Sequence, residues 1–230
     1  MTTHLLMRYL TRQSVILLFL FAFVASIQAQ NGNHSTFYYQ RVSLFEKLPV
    51  SNEDIIFLGN SITNGGEWAE LLNDIRIKNR GISGDVCQGV LDRLNSIIDG
   101  EPSKIFLLIG INDLARGISS DSIVSGTEKI IDRIKSDSPN SLIYIQSILP
   151  VNDSFGMFSG HTKHKEIIKS LNNKLESLAN SKKVKFIDLY SHFVTPGTNN
   201  LNPEYTNDGL HLMGEGYIKW IEIIKPYIYE

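Results

Sequence analysis

A chain of 230 residues with 42% hydrophobic and 20% charged residues is long enough for one domain with a sizeable core and has the balance of a globular protein. Its formal net charge of −2 provides no basic excess for neutralising phosphates, which sets nucleic acid aside as a partner. A single cysteine, Cys87, allows no internal disulfide, so the core must hold the fold unaided, and Cys87 itself reads as a small buried hydrophobe.

Residues 1–13 are short and carry Arg8 and Arg12, an apolar run follows at 15–24, and 25–29 end on small residues around Ala25 and Ala29. This is the layout of a secretory signal peptide, with cleavage expected after Ala29. A run of about ten apolar residues is too short to span a bilayer, which needs about 20. The expectation is therefore a secreted or periplasmic domain at 30–230 with no stable membrane anchor.

Tyr38, Val42 and Phe45 then recur at helical spacing, which predicts a short helix ending near Pro49. Strands are expected at 55–58, 75–78, 105–109, 142–148 and 184–187. Most are rich in Ile, Val, Leu and Phe with little alternation, as in strands covered on both faces. Between them lie helical stripes. Leu91, Leu94 and Ile98 form one; Ile123, Thr127, Ile130, Ile131 and Ile134 form another, entered by a Ser120-Asp121-Ser122 cap signal. Ile167, Ile168, Leu171, Leu175 and Leu178 form a third, and the last helix starts near Gly216 with Tyr217, Ile218, Trp220, Ile221 and Ile224 apolar. Strand–helix alternation of this kind predicts one α/β domain with a parallel sheet and helices on both faces. Ligands of such sheets bind beyond the carboxyl ends of the strands.

Chemistry-bearing residues fall at that edge. Ser61 follows the first strand in "IIFLGNSITNGG", Gly84 follows the second in "NRGISGDVCQG" and Asn112 follows the third in "LLIGINDLARG". Asp208 and His211 sit in "NDGLHLMGEGY", just before the last helix. These residue types suit acyl transfer: a serine hydroxyl needs a base such as His211 to take its proton, and Asp208 can orient the imidazole. The N–H groups of Ser61 and Gly84, with the Asn112 amide, would stabilise an oxyanion. Two better-known glycine loops do not fit. Five residues rather than four separate Gly59 from Gly65 and no Lys follows, so there is no Walker loop; Thr63 stands where a G-x-S-x-G elbow needs glycine.

In order and spacing, "FLGNSIT", "NRGISG", "IGIND" and "DGLH" resemble the four signature blocks of the SGNH (GDSL-like) hydrolases, nearest to bacterial acetylesterase-type members. The resemblance implies a flavodoxin-like three-layer α/β/α sandwich with a five-stranded parallel sheet, and a serine esterase without cofactor. It makes Ser61 the nucleophile, His211 the base, Asp208 its orienting acid, and Ser61, Gly84 and Asn112 the oxyanion hole. One departure is Asn60, where the commonest first block has Asp.

Other polar residues read more plainly. Asp113 is a helix cap or structural hydrogen-bond partner, Asp188 the second candidate for the triad acid, and His192 a rim or surface residue. His161 and His164 are three apart, but nothing completes a metal site around them, so no metal is expected and both read as solvated. The Lys-rich face over 163–185 also reads as solvated. The loops at 151–164 and 191–209 mix Asn, Ser and Thr with isolated aromatics, which suits a small acyl ester on a carbohydrate, acetyl foremost. Phe155, Met157 and Phe158 could instead wall an apolar groove for a platelet-activating-factor-like or lysophospholipid ester. A reading of another class, a non-catalytic carbohydrate-binding protein, is opposed by the intact set of Ser61, Asn112, Asp208 and His211.

Overall fold

The computed structural model describes residues 34–230, and the expected signal peptide at 1–29 lies outside the described residues. Four mainly apolar runs and one polar run, IKNRG, become the strands β1 (Ile55–Gly59), β2 (Ile77–Gly81), β3 (Lys104–Leu108), β4 (Leu142–Gln146) and β5 (Lys185–Ile187), β2 being the polar one. They form one parallel sheet in the order β2-β1-β3-β4-β5, and residues 37–230 make one compact unit. Helices flank the sheet, giving the three-layer α/β/α architecture that the sequence predicts.

Register explains one face of the core. Phe57 pairs with Phe106 and Phe106 with Tyr144. Because side chains alternate across a sheet, these three share a face, and their rings stack at 5.2 and 4.4 Å. Trp68 of α3 (Trp68–Leu72) extends the row, stacked 4.3 Å from Phe57. Trp220 of the C-terminal helix α11 (Gly214–Ile228) closes edge-on upon Trp68 and donates its indole N–H to the Gln146 side chain at 2.7 Å. Each such ring pair adds about 0.5–1.5 kcal/mol beyond area burial.

Five predicted details are corrected. The second strand begins at Ile77 and runs on through Lys78, Asn79 and Arg80 to Gly81, whereas Ile75 is 87% exposed. An apolar run misplaces an edge strand whose polar side chains are in use. The Leu91–Ile98 stripe is two short helices, α4 (Cys87–Asp92) and α5 (Asn95–Ile98), separated at Arg93, which turns a fully buried guanidinium onto Asp85 at 2.9 Å. The cap of α7 (Ser120–Asp137) is Ser119, whose Oγ accepts the Ser122 N–H at 3.2 Å, one residue before the expected signal. In α9 (Lys165–Lys182), Ile168 rather than Ile167 enters the core. The fourth strand also stops two residues short of Ile148, whose N–H and carbonyl are both bonded by the Asn172 side chain, at 2.8 and 2.9 Å.

The expected N-terminal helix is α1 (Thr36–Phe45), with Tyr38 and Phe45 buried. Tyr38 donates to the Gly89 carbonyl at 2.7 Å. The Phe45 ring faces the guanidinium groups of Arg41, Arg80 and Arg93 at 4.7, 4.9 and 5.9 Å.

Candidate active site

Ser61 opens a four-residue helix, α2 (Ser61–Asn64), directly after β1. So sharp a turn needs Gly59, because a Cβ there would lie 2.3 Å from Thr63 Oγ1 and 2.4 Å from the Leu108 carbonyl oxygen. Asn60, fully buried, caps the helix by accepting the Ile62 N–H at 3.0 Å. That is the work done at the position where the resembled family has Asp, and a neutral amide oxygen performs it. A helix this short satisfies few of its own carbonyls, Ser61 O accepting the Gly65 N–H at 2.9 Å. Here three elements supply further partners. Tyr217 of α11 donates to Ile62 O at 2.9 Å and Trp68 donates to Thr63 O at 2.8 Å. Asn79 of β2 places Nδ2 3.1, 3.0 and 2.9 Å from the carbonyls of Thr63, Asn64 and Gly66, while its Oδ1 accepts the Gly81 N–H at 2.8 Å.

Ser61 Oγ lies 3.1 Å from His211 Nε2 and His211 Nδ1 lies 2.7 Å from Asp208 Oδ2. The other Asp208 oxygen accepts the N–H groups of Leu210 and His211, both at 2.8 Å, so the carboxylate is fixed by its own loop. Burial alone would push the Asp208 carboxyl up. The His211 N–H, the imidazole and the Leu210 N–H together outweigh it and hold the carboxyl below its ordinary value. Thr206 anchors the loop, its Oγ1 accepting the Gly209 N–H at 2.9 Å. Gly209 has φ of +81°, and a Cβ there would strike the Asn152 carbonyl at 2.0 Å. With an acid-bonded imidazole facing a hydroxyl, the three side chains can carry a proton from Ser61 to His211.

Gly84 and Asn112 lie on neighbouring loops. Gly84 is exposed, at φ +79°, and its carbonyl accepts from Arg116 at 2.7 Å. Asn112 sits in the first turn of α6 (Ile111–Ala115) and is buried. Its Nδ2 donates to the Asp85 carbonyl at 2.8 Å, and its Oδ1 lies 2.9 Å from His161 Nε2. Asp85 also receives the buried Arg93 Nε at 2.9 Å, and Arg93 Nη2 reaches the Gly59 carbonyl at 3.2 Å. Arg93 thus ties the loop after β2 to the turn before Ser61, and the Asp85 carbonyl ties that loop to Asn112.

Sequence reasoning missed Asn79, Asp85, Arg93 and His161. A lone Arg within the Leu91–Ile98 apolar stripe was a usable signal for Arg93; nothing local marked the other three. His161 was expected in solvent and is instead half-buried against Asn112, with His164 beside it also half-buried. Asp208 rather than Asp188 meets the imidazole, and Asp188 accepts the Ser191 N–H at 3.1 Å beside the start of α10 (Tyr190–Phe193), on which His192 is exposed. Asp113 is a buried structural partner, accepting the Cys87 N–H at 3.1 Å, and burial raises its carboxyl. Cys87 is buried, and burial followed by the nearby Asp113 pushes its thiol well up, away from nucleophilic use. Among the described residues, no group of three His, Cys, Asp or Glu side chains gathers as a metal site, and no helix is long and apolar enough to cross a membrane.

The description GDSL-like Lipase/Acylhydrolase family belongs to a family model that matches residues 57–218. An Escherichia coli N-acylneuraminate cytidylyltransferase is 31% identical over 175 residues, covering 73% of this chain and 38% of that protein. A Vibrio mimicus arylesterase is 30% identical over 117 residues, covering 44% of this chain and 58% of its own length. The chain thus spans less than two thirds of either relative. A solved structure from Streptococcus pneumonia, provisionally named a platelet activating factor, is similar at TM-score 0.78 and 28% identity over 90% of this chain and 99% of that one.

Proposed function

The chain belongs to the GDSL-like lipase/acylhydrolase family of ester-hydrolysing enzymes, and from that premise we propose that it is a secreted serine esterase removing a short acyl group, acetyl foremost, from a carbohydrate ester. The observation that carries the reading is the unbroken line from Asp208 Oδ2 through His211 to Ser61 Oγ, with contacts of 2.7 and 3.1 Å.

His211 Nε2 accepts the Ser61 proton as Oγ attacks the acyl carbon, and the negative charge passes to the former carbonyl oxygen. Asp208, held ionised, keeps Nδ1 protonated and faces the imidazolium that forms. The N–H groups of Ser61 and Gly84 and the Nδ2 of Asn112 donate to the oxyanion. Collapse expels the alcohol, which takes its proton from His211. Water then attacks the acyl-enzyme with His211 as base. No cofactor enters any step.

Two features support a small acyl group on a sugar. The loops at 151–164 and 191–209 are rich in Asn, Ser and Thr, and the E. coli relative is named for an acylated sugar. The lipid-ester reading draws on Phe158, 41% exposed with its ring edge-on to the His211 imidazole at 5.0 Å, and on the name of the Streptococcus relative.

Acetate release from acetylated saccharides, short-acyl phospholipids and nitrophenyl acetate separates the substrates. Ser61→Ala is expected to lower turnover roughly 10⁴- to 10⁶-fold without moving the melting temperature. Folded wild-type protein that hydrolyses none of them across a broad pH range would leave the carbohydrate-binding reading in its place. Export rests on residues 1–29: expressed with its own leader in a bacterial host, the exported product should begin at Gln30. A full-length cytoplasmic product removes secretion from the proposal.

A further inference from the structure

Asn112 is a buried amide whose two ends are both engaged, and the second engagement comes from outside the family signature blocks. A carbonyl oxygen only accepts, so the atom of Asn112 facing Asp85 O at 2.8 Å must be the donor Nδ2. Turned the other way, the amide would set two acceptors against each other. That orientation leaves Oδ1 facing His161 Nε2 at 2.9 Å, and Oδ1 can only accept. His161 must therefore carry its proton on Nε2. Neutral imidazole in that tautomer and imidazolium both donate from this nitrogen, so the contact survives protonation. Burial, and then His211, His164 and Arg116 around it, pull His161 below its ordinary value and favour the neutral form.

We infer that His161 is the positioning residue of the oxyanion hole: its Nε2–H pins Asn112 Oδ1, which fixes the amide plane and leaves the second Nδ2–H as the donor to the substrate oxyanion. With Oδ1 and one N–H tied, the remaining N–H has a single direction, and a preorganised donor needs no reorientation as charge develops. His161 lies in the one-turn helix α8 (Ser159–Thr162), which packs on α6, the helix that carries Asn112. Left-handed Gly156 and Phe158, with φ of +68° and +50°, turn the chain onto the site. The Phe158 ring stands edge-on to both imidazoles, 6.0 Å from His161 and 5.0 Å from His211. One surface segment thus supplies the brace for the oxyanion donor and an apolar cover for the base.

This role rests on the esterase reading, so two readouts are needed. In nitrophenyl acetate hydrolysis, His161→Leu should lower kcat roughly tenfold, the worth of one well-placed hydrogen bond, with KM unchanged. His161→Gln, which can still donate an amide N–H, should recover most of the loss. In an Asn112→Ala background, His161→Leu should cost nothing further. An equal loss in both backgrounds, or a loss confined to KM, overturns the inference. Nitrogen-15 shifts of the His161 ring report its tautomer without any turnover: Nε2–H is expected in the wild type and in Ser61→Ala, and Nδ1–H overturns the inference. A wild type without esterase activity that shows the Nε2–H tautomer refutes the esterase reading while leaving His161 as the holder of the Asn112 amide.

Discussion

The Ser61 side of the candidate site and the Asn112 side are held by different kinds of contact. Around Ser61 the fixing groups belong to the main scaffold: Asn79 on β2, Trp68 on α3 and Tyr217 on α11 all donate to carbonyls of the same turn. Around Asn112 they are a loop carbonyl, Asp85 O, and one imidazole on a surface segment. The turn of Ser61 therefore shares the stability of the core, whereas the direction of the Asn112 amide depends on the periphery. Damage to the first region should appear in folding as well as turnover, and damage to the second in turnover alone.

The largest test of that division is Asn112→Ala. Loss of the oxyanion donor proposed for this position should cost about 10²–10³ in kcat. The melting temperature should fall less than in Asn79→Ala, because the Asn112 side chain makes two hydrogen bonds and that of Asn79 makes four. A rise in KM with kcat intact would make Asn112 a substrate contact and end the contrast. Asn79→Ala should do the reverse. It strips a half-buried turn of donors to three carbonyls and should lower unfolding free energy by about 1–3 kcal/mol, read by denaturant titration. The activity remaining at a temperature where the variant is folded should exceed that of Asn112→Ala. Equal stability of Asn79→Ala and wild type would mean that the Ser61 turn holds itself.

Much of the sheet was legible because parallel strands buried on both faces are written as apolar runs, as in 105–109. The edge strand β2 was legible only at its start and with a two-residue error, since Asn79 and Arg80 face partners rather than a hydrophobic layer. Ser61, Asp208 and His211 could be singled out because each stands at a strand end or helix start, where chemistry is expected. Asp208 and His211 are three residues apart and meet within one loop, so their contact is nearly a local property. Ser61 and His211 are 150 residues apart, and only the order of the blocks hinted that they meet. For His161 there was no hint: two histidines near a helix start look the same in a string whether solvated or braced against an amide.

By itself the sequence determined the parallel sheet, the helices that cover it and the edge at which reactive side chains gather, because hydrophobic period and turn chemistry are local and repeat along the chain. The tertiary structure alone decided that Arg93 ties Gly59 to Asp85, that Asn79 clamps the Ser61 turn, and that His161 meets the Asn112 amide. Those contacts join separate segments of the chain, from 8 to 49 residues apart, and a hydrogen bond between two segments leaves no period in either. It follows from where packing brings an unsatisfied donor beside an unsatisfied acceptor, and the fold must be complete before the two can meet.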